Sequence, residues 1–304
     1  MTQILRAVKP LTVSDTVLSA TDVTEADYAA WSSGSTYAIG DRAIVVATHK
    51  IYESLQSANT NKDPTSAANA AWWAEVSPTN RWKLFDASNS TQTAKSTSMY
   101  YELLPAVACT AIAALNMSGA TSIRVRSTDP TDGLVYDKTT SLVATISDAS
   151  WWTYFFESIA YRTSLVAFDL PSYPSATIRV DLSGGPGLAI GVLMLGSPIE
   201  IGNGVHGGAT VGIQDYSRIE TNTWGDTVLV QRLYAKRASI KTLIDTRSLP
   251  AAYDTLAALR ATPALWVASD QLDPLIVFGF YKQFDATLSY ADFTELNIEI
   301  QGLT

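Results

Sequence analysis

Seven large aromatics, Trp31, Tyr37, Tyr52, Trp72, Trp73, Trp82 and Phe85, fall between residues 31 and 85. Sugar rings present apolar C–H faces that stack on flat aromatic surfaces, while their hydroxyls take hydrogen bonds from nearby polar groups. Trp and Tyr exposed beside Asn, Thr and Glu would suit that task. The alternative is that the rings are simply the core of a domain too small to build one otherwise. Trp31, Tyr37 and Tyr52 read first as such core. Trp72 and Trp73 are adjacent, and neighbours on an extended segment face opposite sides, so one of the two is a candidate for exposure. Trp82, within Asn80-Arg81-Trp82-Lys83, is another. The candidate sugar-contact set is therefore Trp72, Trp73 and Trp82, with Tyr52 and Tyr37 beside them.

Other chemistries are poorly supplied. A single cysteine, Cys109, excludes an internal disulfide framework and a four-Cys zinc site. It sits in the apolar run Val107 to Ile112, where a buried inert thiol is expected. His49 and His206 are far apart, and His206 between glycines reads as a loop residue. Asp129-Pro130-Thr131-Asp132-Gly133 could offer oxygens to calcium, but it lacks the alternating acids and distal Glu of an EF-hand loop. Asp137, Asp169 and Asp181, like Asp129 and Asp132, read as solvated carboxylates rather than a glycosidase pair. Ser183 to Gly187 and Gly202 to Gly208 are Gly-rich without a following Lys-Ser/Thr helix start, so they read as a hairpin turn and a linker. No G-x-S-x-G elbow occurs. We expect no catalytic residue, no metal and no cofactor, and hence not an enzyme.

The elements that would carry these residues are mostly strands. Arg42 to Ala47 and Lys50 to Leu55 read as a hairpin after the Gly40-Asp41 turn, followed by a polar loop from Asn59 to Asn69. Thr24 to Trp31 reads as one helical turn, and Leu11 to Leu18 as a short strand or arm. Ala106 to Leu115 is apolar. Thr121 to Arg126 and Thr177 to Leu182 alternate as half-buried strands should, and Leu188 to Leu195 returns after the glycines. Thr227 to Tyr234, Ala264 to Ala268, Leu275 to Tyr281 and Phe293 to Gln301 read as strands. Leu249-Pro250 opens a helix running to Arg260. The fold class is mainly β. It divides into an N-terminal arm (1–28), a small aromatic-rich module (29–86), a jelly-roll-like β-sandwich (87–205) and an α+β domain (206–304).

With 47% hydrophobic and only 16% charged residues, the chain can bury real cores and is not a disordered one. Its formal charge of -8 argues against coating nucleic acid, which needs clustered positive charge. The one compact basic stretch, Arg232, Lys236, Arg237 and Lys241, reads as a solvated face or the rim of a subunit contact. No apolar run reaches the length of a membrane span. The N-terminus lacks the charged and apolar regions of a signal peptide, which predicts synthesis in the cytoplasm and, for an extracellular role, exit by lysis.

Trp31, Ser35-Thr36-Tyr37, Gly40-Asp41, Val45, Tyr52-Glu53-Ser54, Asn59, Pro64 and Trp72-Trp73 resemble the small chitin-binding modules of carbohydrate-binding families 5 and 12. The resemblance covers about 55 residues, under a fifth of the chain. Variants of the pattern recur in bacteriophage tail proteins, followed by a segment similar to Thr79 to Asp86, and this chain is closer to that form. Gly212 to Arg218, Glu220-Thr221, Trp224 to Thr227, Ala235-Lys236-Arg237, Leu256 to Pro263, Phe278 to Lys282 and Glu299 to Leu303 resemble tail-tip or baseplate proteins. The resemblance implies a virion protein of the tail tip, baseplate or collar. It also implies partners among other tail proteins, a homo-oligomeric ring and contact with host-surface glycan. The other readings are a secreted carbohydrate-binding protein and an accessory to polysaccharide degradation.

Overall fold

The computed structural model describes residues 4–143, 160–205, 208–270, 272–288 and 290–303. His206, Gly207 and residues 1–3 of the N-terminal reading lie outside them. The chain is mainly β, with antiparallel sheets and one α-helix among the described residues. No helix of those residues is long and apolar enough to cross a membrane.

Three sheets stack in layers. A six-stranded sheet contains Ser98–Leu103, Ser118–Asp129, Gly133–Ser141 and Thr177–Ile190. A three-stranded sheet orders Leu165–Ala167, Ala111–Leu115 and Val192–Gly196. An eight-stranded sheet is built mainly from the C-terminal third. Ile112, Ala114, Leu193 and Leu195 of the three-stranded sheet meet Met99, Tyr101, Ile123 and Val180 of the six-stranded one in a single core. On its other face, Ala111, Ala113, Val192 and Met194 meet Leu265, Val267 and Phe278 of the eight-stranded sheet. The middle sheet is thus covered twice, which is why its strands read as unbroken apolar runs rather than alternating ones. Outer strands keep the alternation: Leu296, Ile298 and Ile300 of Phe293–Gly302 are fully buried, and the residues between them are not.

The helix Leu249–Ala258 covers the far side of the eight-stranded sheet. Pro250 starts it where a missing N–H costs nothing. Leu256 and Leu259 pack against Trp266, Ala238 and Ile240. Ala261, in the left-handed region at φ 53°, ends the turn beyond it. The expected helix and C-terminal strands lie where the sequence places them.

Several expectations are corrected. The 1–28 segment is not an arm: Leu5–Val8 is inserted between Pro198–Ile201 and Ala264–Val267 in the eight-stranded sheet, and Leu18–Thr21 joins the six-stranded one. Thr24 to Trp31 forms no helical turn, because Glu25 and Asp27 take their hydrogen bonds from distant residues and Ala30 bridges to Ile44. Thr227 to Tyr234 is broken after Val230. Ser183 to Gly187 is not a turn either. Thr177–Ile190 runs straight through it as one bulged strand, and at Gly191 the chain only bends, passing on in the same direction into Val192–Gly196 of the next sheet. The glycines serve close approach: a Cβ on Gly184 would overlap the Gly119 carbonyl on the paired strand, and Gly119 itself sits at φ 64°. Gly184→Ala is expected to cost about 2 kcal/mol, read as a lower urea midpoint at unchanged slope.

Candidate functional site

The aromatic module is a small sheet of Arg42–Val45, Lys50–Ser54 and Trp73–Pro78. Its core is Ala43, Tyr52 and Trp73, with Trp31, Tyr37, Val45 and Trp72 packed around them. The strand begins at Trp73, which is buried, while Trp72 belongs to the turn before it and is half-buried. The Trp73 indole N–H donates to the Lys62 carbonyl at 2.8 Å, and its ring meets Tyr37 edge-on at 5.1 Å. Tyr37 accepts a hydrogen bond from the Ser32 N–H at 2.9 Å. The Lys62 ammonium lies 5.3 Å from the centre of the Trp72 ring. Tyr52, Tyr37, Trp72 and Trp73 are therefore brought together as core and core rim, not as an open platform.

Trp82 is elsewhere, and it is buried, with 7% of its surface exposed. This corrects its reading as a free ring. It stacks on His49 at 4.0 Å and 20°, and meets Phe85 at 5.8 Å. Phe85 in turn meets Tyr101 at 5.6 Å, and Tyr101 is a core residue of the six-stranded sheet. Leu84 lies in that same core. The Asn80 side chain pairs with the backbone of Ala94 at both its amide nitrogen and oxygen. Residues 79 to 86 thus form the joint between the aromatic module and the layered sheets. The polar flanks of Trp82 suggested exposure, but Asn80 and Arg81 spend their polarity on the joint.

The same joint holds a charged cluster that sequence spacing did not reveal. The His49 ring places Nδ1 3.1 Å from Glu25 Oε1 and Nε2 3.1 Å from Asp15 Oδ1. The Thr79 hydroxyl donates to Glu25 at 2.9 Å, and Arg81 approaches it at 4.0 Å. A histidine between carboxylates invites comparison with a catalytic triad. Here both ring nitrogens face carboxylates, Trp82 covers the ring face, and the hydroxyl addresses Glu25 rather than the imidazole. No nitrogen is left open to abstract a proton from a substrate, so the cluster locks the module in place.

An open cleft on the module is lined by Tyr28, Tyr37, Gly40, Asp41, Arg42 and Glu53. Arg42 bonds Glu53 at 2.7 Å and the Tyr28 hydroxyl at 3.2 Å, and both contacts hold its guanidinium firmly charged. Tyr28 and the Arg42–Glu53 pair were missed as site residues. The hairpin register, which sets Arg42 opposite Glu53, was the signal that pointed to them.

The remaining acids are occupied. Asp129 caps its own turn, and the Ser175 hydroxyl and Thr131 N–H hold it below the usual carboxylate range. Asp132 raises the Tyr173 phenol. Asp137 is lowered by Arg124. Burial pushes Asp169 up, but Lys138 and Tyr136 outweigh it and hold it low. Asp181 bonds Arg126 and Arg179. Cys109 is buried, and burial pushes its thiol up. Among the described residues no group of His, Cys, Asp and Glu is placed to hold a metal ion. In the basic stretch, Lys236 bonds Asp273 at 2.7 Å, while Arg232, Arg237 and Lys241 are exposed.

Apolar exposure is concentrated in another place. Thr210–Asp215 pairs with Tyr234–Asp245, and beyond it the hairpin Arg218–Thr221 and Thr227–Val230 stands as a separate two-stranded sheet. Ile213, Ile219, Val228, Leu229, Leu233 and the tip residue Trp224 all lie exposed, Trp224 at 89%. No signal in the strand pattern alone distinguished this face from a buried one. Function has to be read from this geometry, since the chain matches no family model, no curated protein and no solved structure.

Proposed function

We propose that the chain is a structural component of a tailed-phage virion, at the tail tip, baseplate or collar, and is not an enzyme. The observation that carries this is the apolar hairpin of residues 210 to 234. A two-stranded ribbon with both faces in water is marginal alone, and exposed apolar patches of this kind mark interaction surfaces. An assembly subunit that is finished only by its neighbours needs such a surface. Other tail proteins and further copies of the chain are its partners, in a symmetric ring, with no nucleic acid contact. It is made in the host cytoplasm and leaves within the particle. The aromatic module then serves chiefly as a spacer joined rigidly through Trp82.

A second reading, adhesion to host glycan, is favoured by the open cleft with Tyr28, Tyr37, Arg42 and Glu53. There a sugar would meet tyrosine edges and charged hydrogen-bonding groups, not the tryptophans. A secreted carbohydrate-binding protein would use the same cleft. The test is mass spectrometry of purified particles from a phage that encodes the chain. We expect it at fixed stoichiometry, and defective tails when the gene is deleted. Absence from intact particles overturns the reading in favour of a secreted glycan binder.

A further inference from the structure

The free edge of the hairpin is complementary to itself. The Asn222 N–H donates to the Asp226 carbonyl at 2.9 Å, which fixes the ladder below it. Bonded pairs alternate in an antiparallel ladder, so Glu220–Val228 and Arg218–Val230 bond inward. The backbone N–H and C=O of Ile219 and Thr221 therefore face outward, along an edge that pairs with nothing among the described residues. Ile219 and Leu229 share one face and are 70% and 71% exposed. Arg218, Glu220, Val228 and Val230 share the other, and Arg218 bonds Glu220 within its own strand.

We propose that two copies of this chain pair edge to edge through Arg218–Thr221, antiparallel, about a two-fold axis at Ile219. Ile219 then exchanges two backbone hydrogen bonds with its equivalent in the second copy. A continuous apolar stripe forms, Leu229 and Ile219 of one copy running into Ile219 and Leu229 of the other. On the opposite face Arg218 stands across from Glu220 of the second copy, twice over. Opposite charges directly across a pair of strands stabilise it, and like charges there destabilise it. The charges also select the register. A two-fold axis centred on Arg218 would oppose two arginines, and one on Glu220 two glutamates. The neighbouring strand Thr227–Val230 carries no charge and could specify no register. The root of the hairpin is already held, since the Gln301 side chain donates to the Tyr216 hydroxyl at 2.9 Å. Pairing converts a marginal two-stranded ribbon into a four-stranded sheet. The proposal rests on the assembly reading and names its partner, a second copy, and its symmetry, an isologous two-fold.

Light scattering and sedimentation of the purified full chain test it. Wild type is expected to dimerise. Arg218→Glu and Glu220→Arg each create two like-charge pairs and are expected to weaken dimerisation at least about tenfold. The double variant R218E/E220R restores two opposite-charge pairs and dimerises again. Mixing the two single variants is expected to give heterodimers, because two glutamates on one copy meet two arginines on the other. Circular dichroism confirms that each variant is folded, and the heterodimer shows that neither failed for want of structure. A wild-type chain that stays monomeric overturns the pairing. So does a dimer indifferent to both single substitutions, or a double variant that remains monomeric. Any of these, found while the chain is still present in particles, removes the two-fold contact and leaves the assembly reading standing.

Discussion

Trp82→Ala is expected to destabilise the protein by about 3–5 kcal/mol, the range for truncating a large buried aromatic. In a chain of this size that is a fall of roughly 10 °C in Tm. The indole fills the space between His49 and Phe85, and Phe85 is the step to Tyr101 in the sheet core. Removing it leaves a void at the joint that no neighbouring side chain can fill without breaking another contact. Trp82→Phe keeps a ring in place and is expected to lose less than half as much. Thermal melts of the three proteins, set beside retention on immobilised chitin, separate two roles. A sugar platform would lose retention at unchanged Tm. A joint loses Tm, and any retention left in the folded fraction is unchanged.

How much of this was legible in the sequence depends on how local the information was. The pairing of Arg42–Val45 with Lys50–Ser54 and the burial of Leu296, Ile298 and Ile300 depend on adjacent turns and period two, and both were readable. The double burial of Ala111–Leu115 was readable as apolarity but not as a middle layer, since that depends on a sheet formed by residues far along the chain. Leu5–Val8 looked like an arm because its partners, Pro198–Ile201 and Ala264–Val267, are nearly two hundred residues away or more. The glycines at 184 to 187 imitated a turn because flexibility and close approach call for the same residue. The joint was illegible for a related reason. Glu25, His49 and Thr79 belong to three separate segments, and only their convergence makes them a unit.

That convergence makes the second large effect a contrast between two carboxylates on one histidine. Glu25 has 7% of its side chain exposed and Asp15 has 73%. Glu25→Ala strips the buried partner from the Thr79 hydroxyl, the His49 ring and the nearby Arg81, and is expected to cost about 3 kcal/mol. This is the low end of the range for breaking a buried pair, because Arg81 is itself 34% exposed and water partly screens it. Asp15→Ala removes a carboxylate contact to the ring that lies largely in water, and is expected to change stability by less than about 0.5 kcal/mol. Added salt should weaken the Asp15 contact and leave the effect of Glu25 nearly intact. Hydrogen exchange locates the loss: in Glu25→Ala the amides of residues 79 to 86 should open well before those of Thr177–Ile190. If the two substitutions cost the same, the cluster is a surface ornament, and the module is held by Trp82 and its aromatic neighbours alone.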